Sequence, residues 1–195
     1  VERLASLFQP KDPGELHQYL FRSDSFSLLD GKGEWKEQQD RLAQKQKDAC
    51  LEILNRGGLS GLLEFTRKVD SPEIVGRISA EILPSALNAE QLQELATSDD
   101  IALVIFSSSY AREMFNIVGE DWIIDFSFEG WPNVTIAKTL AALPAKPVVW
   151  TKVSEVLKGH EKLYWQRVDS RFFDNEEELH FAVDQLIENG RPFAA

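Results

Sequence analysis

The groups of this 195-residue chain that could move a proton, attack a substrate or ligate a metal are three histidines, one cysteine and 32 carboxylates. His17, His160 and His180 fall on separate elements, with no cysteine or carboxylate at ligand spacing along the chain. His180, two residues after Glu176-Glu177-Glu178, reads as a surface residue. Cys50 lies in Lys47-Asp48-Ala49-Cys50-Leu51-Glu52-Ile53-Leu54, on the apolar face of a helix, and reads as core rather than as a nucleophile. The carboxylates cluster at Asp99-Asp100, Glu120-Asp121 and Glu176-Glu177-Glu178, each at an expected helix start where capping and the helix dipole account for them. General acid–base work needs a carboxyl with a raised pKa in an apolar cleft, and no residue pattern marks one. Phosphate loops, HExxH, GxSxG and CxxC are all absent. The expectation is therefore no catalytic residue, no metal and no cofactor.

Binding chemistry is better supplied. Five Trp and twelve Phe are enough for an interface hot spot. Trp165, flanked by Leu163 and Val168, reads as core, whereas Trp35 sits in the polar half of its helix and is the ring expected to be exposed. Trp35, Arg191 and Phe193 are the candidates for partner contact. The net charge of −11 repels phosphate, so nucleic acid is not the expected ligand. Arg41, Lys45 and Lys47 are interleaved with Asp40 and Asp48 and form a mixed solvated face. A lone cysteine excludes an internal disulfide and fits a reducing, cytoplasmic compartment. The longest unbroken apolar run, Ile101 to Phe106, is far shorter than the ~20 residues of a membrane span, so no membrane is expected.

Helices must position these residues. Val1 to Phe8 offers Leu4, Leu7 and Phe8 to one side, and Glu15 to Phe21 offers Leu16, Tyr19 and Leu20; residues 22–33 read as irregular. Glu34 to Asn55 is the longest candidate, polar in its first half and docking through Ala49, Cys50, Ile53 and Leu54, with Gly57-Gly58 as the stop. Asn88 caps a short helix burying Leu92, Leu95 and Ala96, and Ser98-Asp99-Asp100 caps the next. Ile101 to Val118 reads as the central helix. A strand within Ile101 to Phe128 is the rival, since Val104-Ile105-Phe106 is β-prone and Trp122-Ile124-Phe126-Phe128 alternates. Val148 to Leu157 and Lys162 to Val168 follow as short helices. In the last helix Leu179, Ala182, Val183, Leu186 and Ile187 lie on one stripe expected to be buried, Asn175 and Glu178 cap its start, and Gly190 ends it. Arg191 to Ala195 then reads as the first turn of another helix with Pro192 near its start, as in a chain cut from a longer one.

A cadence recurs. Gly58 through Ser71-Pro72 to Leu83-Pro84 matches Gly119 through Trp131-Pro132 to Leu143-Pro144 in length to within one residue. Such helix pairs are the signature of an α-solenoid. The run Gly159-His160-Glu161-Lys162-Leu163-Tyr164-Trp165, followed by Leu186-Ile187-Glu188-Asn189-Gly190-Arg191-Pro192-Phe193-Ala194-Ala195, resembles a pattern E-x-x-YW … L-x-x-x-GR-P-x-x-A in the HEAT- or TPR-like helical-repeat region of very long bacterial multidomain proteins of poorly defined function. Leu7-Phe8-Gln9-Pro10-Lys11-Asp12-Pro13 and Val75-Gly76-Arg77 are similar to the same region. The resemblance implies an internal segment with a nucleotide-handling domain elsewhere in the parent, and it transfers no functional residue.

The expectation is an all-α chain of antiparallel helix pairs in a solenoid-like array. It forms one domain over residues 1–195, with a sub-division into N-terminal helices 1–57 and a helix-pair array 58–195 left open. The expected function is a protein-interaction, scaffold or sensor module. Its partners are other proteins or domains of the same parent, and its C-terminal end self-associates weakly. The alternative is a hydrolase with a carboxylate-based site formed between helices.

Overall fold

In the computed structural model, residues 12–23, 34–84, 87–169 and 175–192 are described, and every regular element among them is helical. The expected helix over residues 1–8 and the connection over residues 24–33 lie outside them. The rival strand in Ile101–Phe128 does not form. Val104, Ile105 and Phe106 sit inside a helix capped by Asp100, whose carboxylate accepts from the Ala102 N–H at 3.0 Å.

The chain enters through α1, Pro13–His17, with Asp12 as N-cap and Pro13 in the first turn. A 3-10 helix, Gln18–Phe21, follows directly. Its tighter winding alters the face that an unbroken α-helix would present. Leu20 and Phe21 are buried, while Tyr19, expected inward, is 52% exposed. The buried Gln46 amide donates to the Leu20 carbonyl at 2.8 Å, and Phe21 packs edge-on to Phe65 with ring centroids 5.1 Å apart. Both partners lie on α2, Trp35–Thr66. The polar first half of α2 is largely exposed, and Ala49, Cys50 and Ile53 are buried as their spacing predicts. Gly57-Gly58 ends the first helical run of α2 as expected, and a second run follows across the kink. Gly58 takes φ 61°, ψ −163°, a conformation costly for any side chain, and the helix resumes at Leu59.

Helix α3, Pro72–Ile82, makes the most extensive helix–helix contact among the described residues, with α5, Ile101–Val118. The reason is Gly76. A Cβ there would come within 3.1 Å of the Phe106 Cα and carbonyl carbon and closer still to its oxygen, so the two backbones meet with nothing between them. Helix α4, Ala89–Ala96, carries the expected Asn88 cap in a complete box with Gln91 and lies on α5. By length and composition α5 is the one described helix long and apolar enough to cross a membrane, but Leu103, Phe106, Tyr110, Ala111, Met114 and Phe115 are buried against its neighbours. Ile101, at 69% exposed, and Val118 fall outside that core. The Tyr110 hydroxyl donates to the Leu83 carbonyl at 2.9 Å, closing the end of α3.

After Gly119 (φ 88°, ψ −160°) the chain makes α6, Glu120–Asp125, α7, Asn133–Ala141, α8, Pro147–Leu157, α9, Lys162–Trp165, and α10, Glu176–Glu188. The alternation Trp122-Ile124-Phe126-Phe128 is therefore not a strand. Ile123 is the buried residue of α6, and Phe126, Phe128 and Trp131 cluster with centroids 4.8–5.8 Å apart.

One sequence of shapes recurs in the described chain. A helix ends at, or within two residues before, a glycine of positive φ, a shorter helical piece follows, and a further helix completes the set. The glycines are Gly58, Gly119 and Gly159, with φ of 61°, 88° and 94°. Two of the short pieces are also finished alike. The buried Lys152 of α8 donates to the Ile124 carbonyl at the end of α6 at 2.9 Å. Arg191 donates to the Trp165 carbonyl at the end of α9 at 3.0 Å. Last-turn carbonyls lack partners within their own helix, so a cationic donor from later in the chain satisfies them and favours the negative end of the dipole.

Candidate partner-binding groove

The junction of α8, α9 and α10 gathers most of the residues of the pattern E-x-x-YW … GR-P. Glu161 accepts the Gly159 N–H at 2.9 Å, and that bond holds its carboxyl below the usual range. Tyr164 and Trp165, one turn on, are buried and meet edge to face at 5.0 Å. Burial pushes the Tyr164 phenol up, while the Trp150 indole beside it favours the ionised form. At the other end Gly190, φ 82°, closes α10 in a Schellman turn, with Arg191 N–H to the Leu186 carbonyl at 2.8 Å and Gly190 N–H to Ile187 at 3.1 Å. That turn aims the Arg191 guanidinium back at the carbonyls of Trp165 and Val168, at 3.0 and 2.8 Å. Arg191 is thus held within the fold as a clasp between α9 and α10.

Helix α10 meets the rest through few side chains. Ala182 and Leu186 are buried, but Leu179 is 42% and Ile187 53% exposed, and Val183 is half-buried. The single buried stripe expected from the sequence is therefore split, with one row docked and the next facing outward. Phe181 supplies the remaining contact. Its ring centroid lies 4.9 Å from Trp150 and 6.0 Å from Trp165.

Between α8 and the start of α10, Trp150 and Phe181 border a groove of ≈ 440 Å³ also lined by Pro147, Thr151, Ser154, Asn175, Glu177 and Glu178. Trp150 is buried behind it, while Phe181 remains 46% exposed. Asn175 sets the acidic side as the cap of α10, its carbonyl oxygen accepting the Glu178 N–H and its amide donating to the Glu178 carboxylate, both at 2.9 Å.

No family model, curated protein or solved structure matches this chain. The groove's chemistry is read from its own residues.

The other sequence candidates fall elsewhere. Trp35, at the first turn of α2, is 49% exposed as expected. Phe193 lies outside the described residues. Cys50 is fully buried, and burial pushes its thiol up to about 12, as for a core cysteine. His160 and His180 are exposed, but His17 meets the Glu52 carboxylate at 2.9 Å. Thirty-five residues separate that pair, so spacing along the chain could not show it. The carboxylate groups stand at helix starts as read: Asp100 caps α5, Glu120 and Asp121 open α6, and Glu176 to Glu178 open α10. Among the described residues no three His, Cys, Asp or Glu side chains come together as a metal site.

Proposed function

We propose that this chain is a protein-interaction or scaffold module of HEAT- or TPR-like helical repeats within a larger bacterial cytoplasmic protein, with no catalysis of its own. The observation that carries the reading is the thrice-repeated helix, positive-φ glycine and short helical piece at Gly58, Gly119 and Gly159. The cationic closures supplied by Lys152 and Arg191 support it. The repeating unit is then three helical pieces rather than a pair. Stacked units of this kind offer side-by-side helices and the grooves between them to other polypeptides.

The test is selection from a library of 12-residue peptides displayed on phage against the 195-residue chain, with amide shift mapping of the peptides recovered. Convergent peptides that perturb helix surfaces are the expected result. A selection that yields no specific binder sinks the module. The hydrolase alternative rests on the His17–Glu52 pair at the α1–α2 contact. It gains ground if a hydrolytic activity of the purified chain disappears in His17→Ala.

A further inference from the structure

The elbow in α2 separates two classes of contact. Those of the first class tie the chain before Gly58 to itself. Gln46 donates to the Leu20 carbonyl and His17 meets Glu52, so α1, the 3-10 helix and the first run of α2 form one arm. Those of the second class join this arm to the body that follows. Phe21 packs on Phe65, the Ser71 N–H donates to the Phe21 carbonyl at 3.1 Å, the Gln18 amide donates to the Lys68 carbonyl, and Lys47 pairs with Glu81 of α3 at 3.1 Å. Cys50 faces the charges of Arg77 and Glu81 on the same helix.

Gly58 is the one residue of α2 outside helical torsions, and its φ of 61° is open to glycine at no steric cost. The second run turns back so sharply that a Cβ on Gly61 would stand 3.7 Å from the Ile53 carbonyl oxygen. In a straight helix, residues eight apart are separated by about 12 Å along the axis. Residues 55–58 are exposed, and a Cβ on Gly57 or Gly58 would meet nothing within 4 Å, so nothing is packed on the hinge glycines. Helical torsions at Gly58 turn α2 into an unbroken helix of 32 residues, about 48 Å long. The docked residues of the arm, Gln46, Ala49, Cys50 and Ile53, then lie on nearly the opposite side of that helix from Leu62, Phe65 and Thr66 of the body. A straightened chain cannot cover its own arm. A second straightened chain can, because its body offers every contact of the second class.

We propose that Gly58 is a hinge through which two copies of this chain exchange arms, the first run of α2 and the elements before it docking on α3 and the second run of α2 in the other copy. The closed and exchanged forms share their contacts and differ at the elbow, so the torsions of one glycine set the balance between them. The exchange is independent of the interaction-module reading.

The test co-refolds two forms of the 195-residue chain. One carries ¹⁵N; the other is unlabelled and carries a nitroxide on Lys45→Cys in a Cys50→Ala background. Lys45 is exposed and close in the chain to Lys47, the partner of Glu81. The expected result is a dimer that grows with concentration in sedimentation, with broadening of the Arg77 and Glu81 amides of the ¹⁵N copy. A parent chain that is monomeric at every concentration overturns the proposal, and so does a dimer whose broadening falls on other surfaces. Gly58→Ala disfavours the bend and favours the straight helix at both elbows of a dimer, so its dimer dissociation constant falls about 100-fold or more. A folded Gly58→Ala no more dimeric than the parent also overturns it. Inserting Gly-Ser-Gly-Ser after Gly58 gives the arm room to fold back, breaks the continuous helix and abolishes the dimer. An inserted chain that dimerises as the parent does sinks the exchange, whether or not Gly58→Ala folds.

Discussion

The α3–α5 crossing and the α10 junction join helices by opposite means. At the first, Gly76 lets main chain meet main chain, and the contact is long and closed. At the second, α10 is held by a few side chains, Phe181, Ala182, Leu186 and the Arg191 clasp, and a neighbouring apolar row stays exposed. Backbone contact leaves no room for adjustment, whereas contact through side-chain tips leaves grooves between helices. Stability is therefore expected to concentrate at the first region and accessible surface at the second.

The sharpest way to break this contrast is Gly76→Ala. Its Cβ meets the Phe106 backbone, which cannot swing aside as a side chain would, so α3 must move off α5. A loss of about 3 kcal/mol is expected, and with it a fall in Tm of roughly 6–12 °C. A Tm within 2 °C of the parent would show that the crossing is slack. Arg191→Met should do less, and locally. Removing donors to two carbonyls in a partly buried site costs about 1–2 kcal/mol. Hydrogen exchange should speed up through α10 while α3 and α5 keep their protection; uniform loss would make the junction part of the main core.

Cys50 gives the smallest effect and tests how tightly α2 closes on the core. Burial raises its thiol from 9.0 to about 12. The folded state therefore holds the proton more firmly, and this contribution is intact below pH 9 and is lost as pH rises from there toward 12. Between pH 9 and 10 the parent should lose roughly 1 kcal/mol more than Cys50→Ala, read as the difference in the slope of urea-unfolding free energy against pH. Parallel slopes would mean that water reaches the thiol.

Legibility in the sequence followed distance along the chain. The caps at Asn88, Asp100 and Asn175 and the stop at Gly190 were readable because each acts within a few residues. The strand rival for Val104-Ile105-Phe106 was harder to dismiss, because a short apolar run carries no period of its own. Leu179 and Ile187 were read as buried because periodicity reports which face is apolar and not what covers it. The stop at Gly58 was readable, but the restart directly after it was not, since a glycine that ends one helix can equally bend the chain into the next. The groove could not be seen at all: Trp150 and Phe181 are 31 positions apart and meet only because α9 turns the chain between them. Its signal was present in pieces, as an acidic first turn and an aromatic surplus, with nothing to join them.

The closures by Lys152 and Arg191 also set an order on biosynthesis. Each donor lies 28 or 26 residues downstream of the carbonyl it satisfies. As the chain leaves the ribosome at roughly 5–20 residues per second, the end of α6 must stay hydrated for about one to five seconds until Lys152 arrives, and the end of α9 waits as long for Arg191. Nascent α6 and α9 are thus finished by residues that emerge only after them, and the molecule matures one step behind its own emergence.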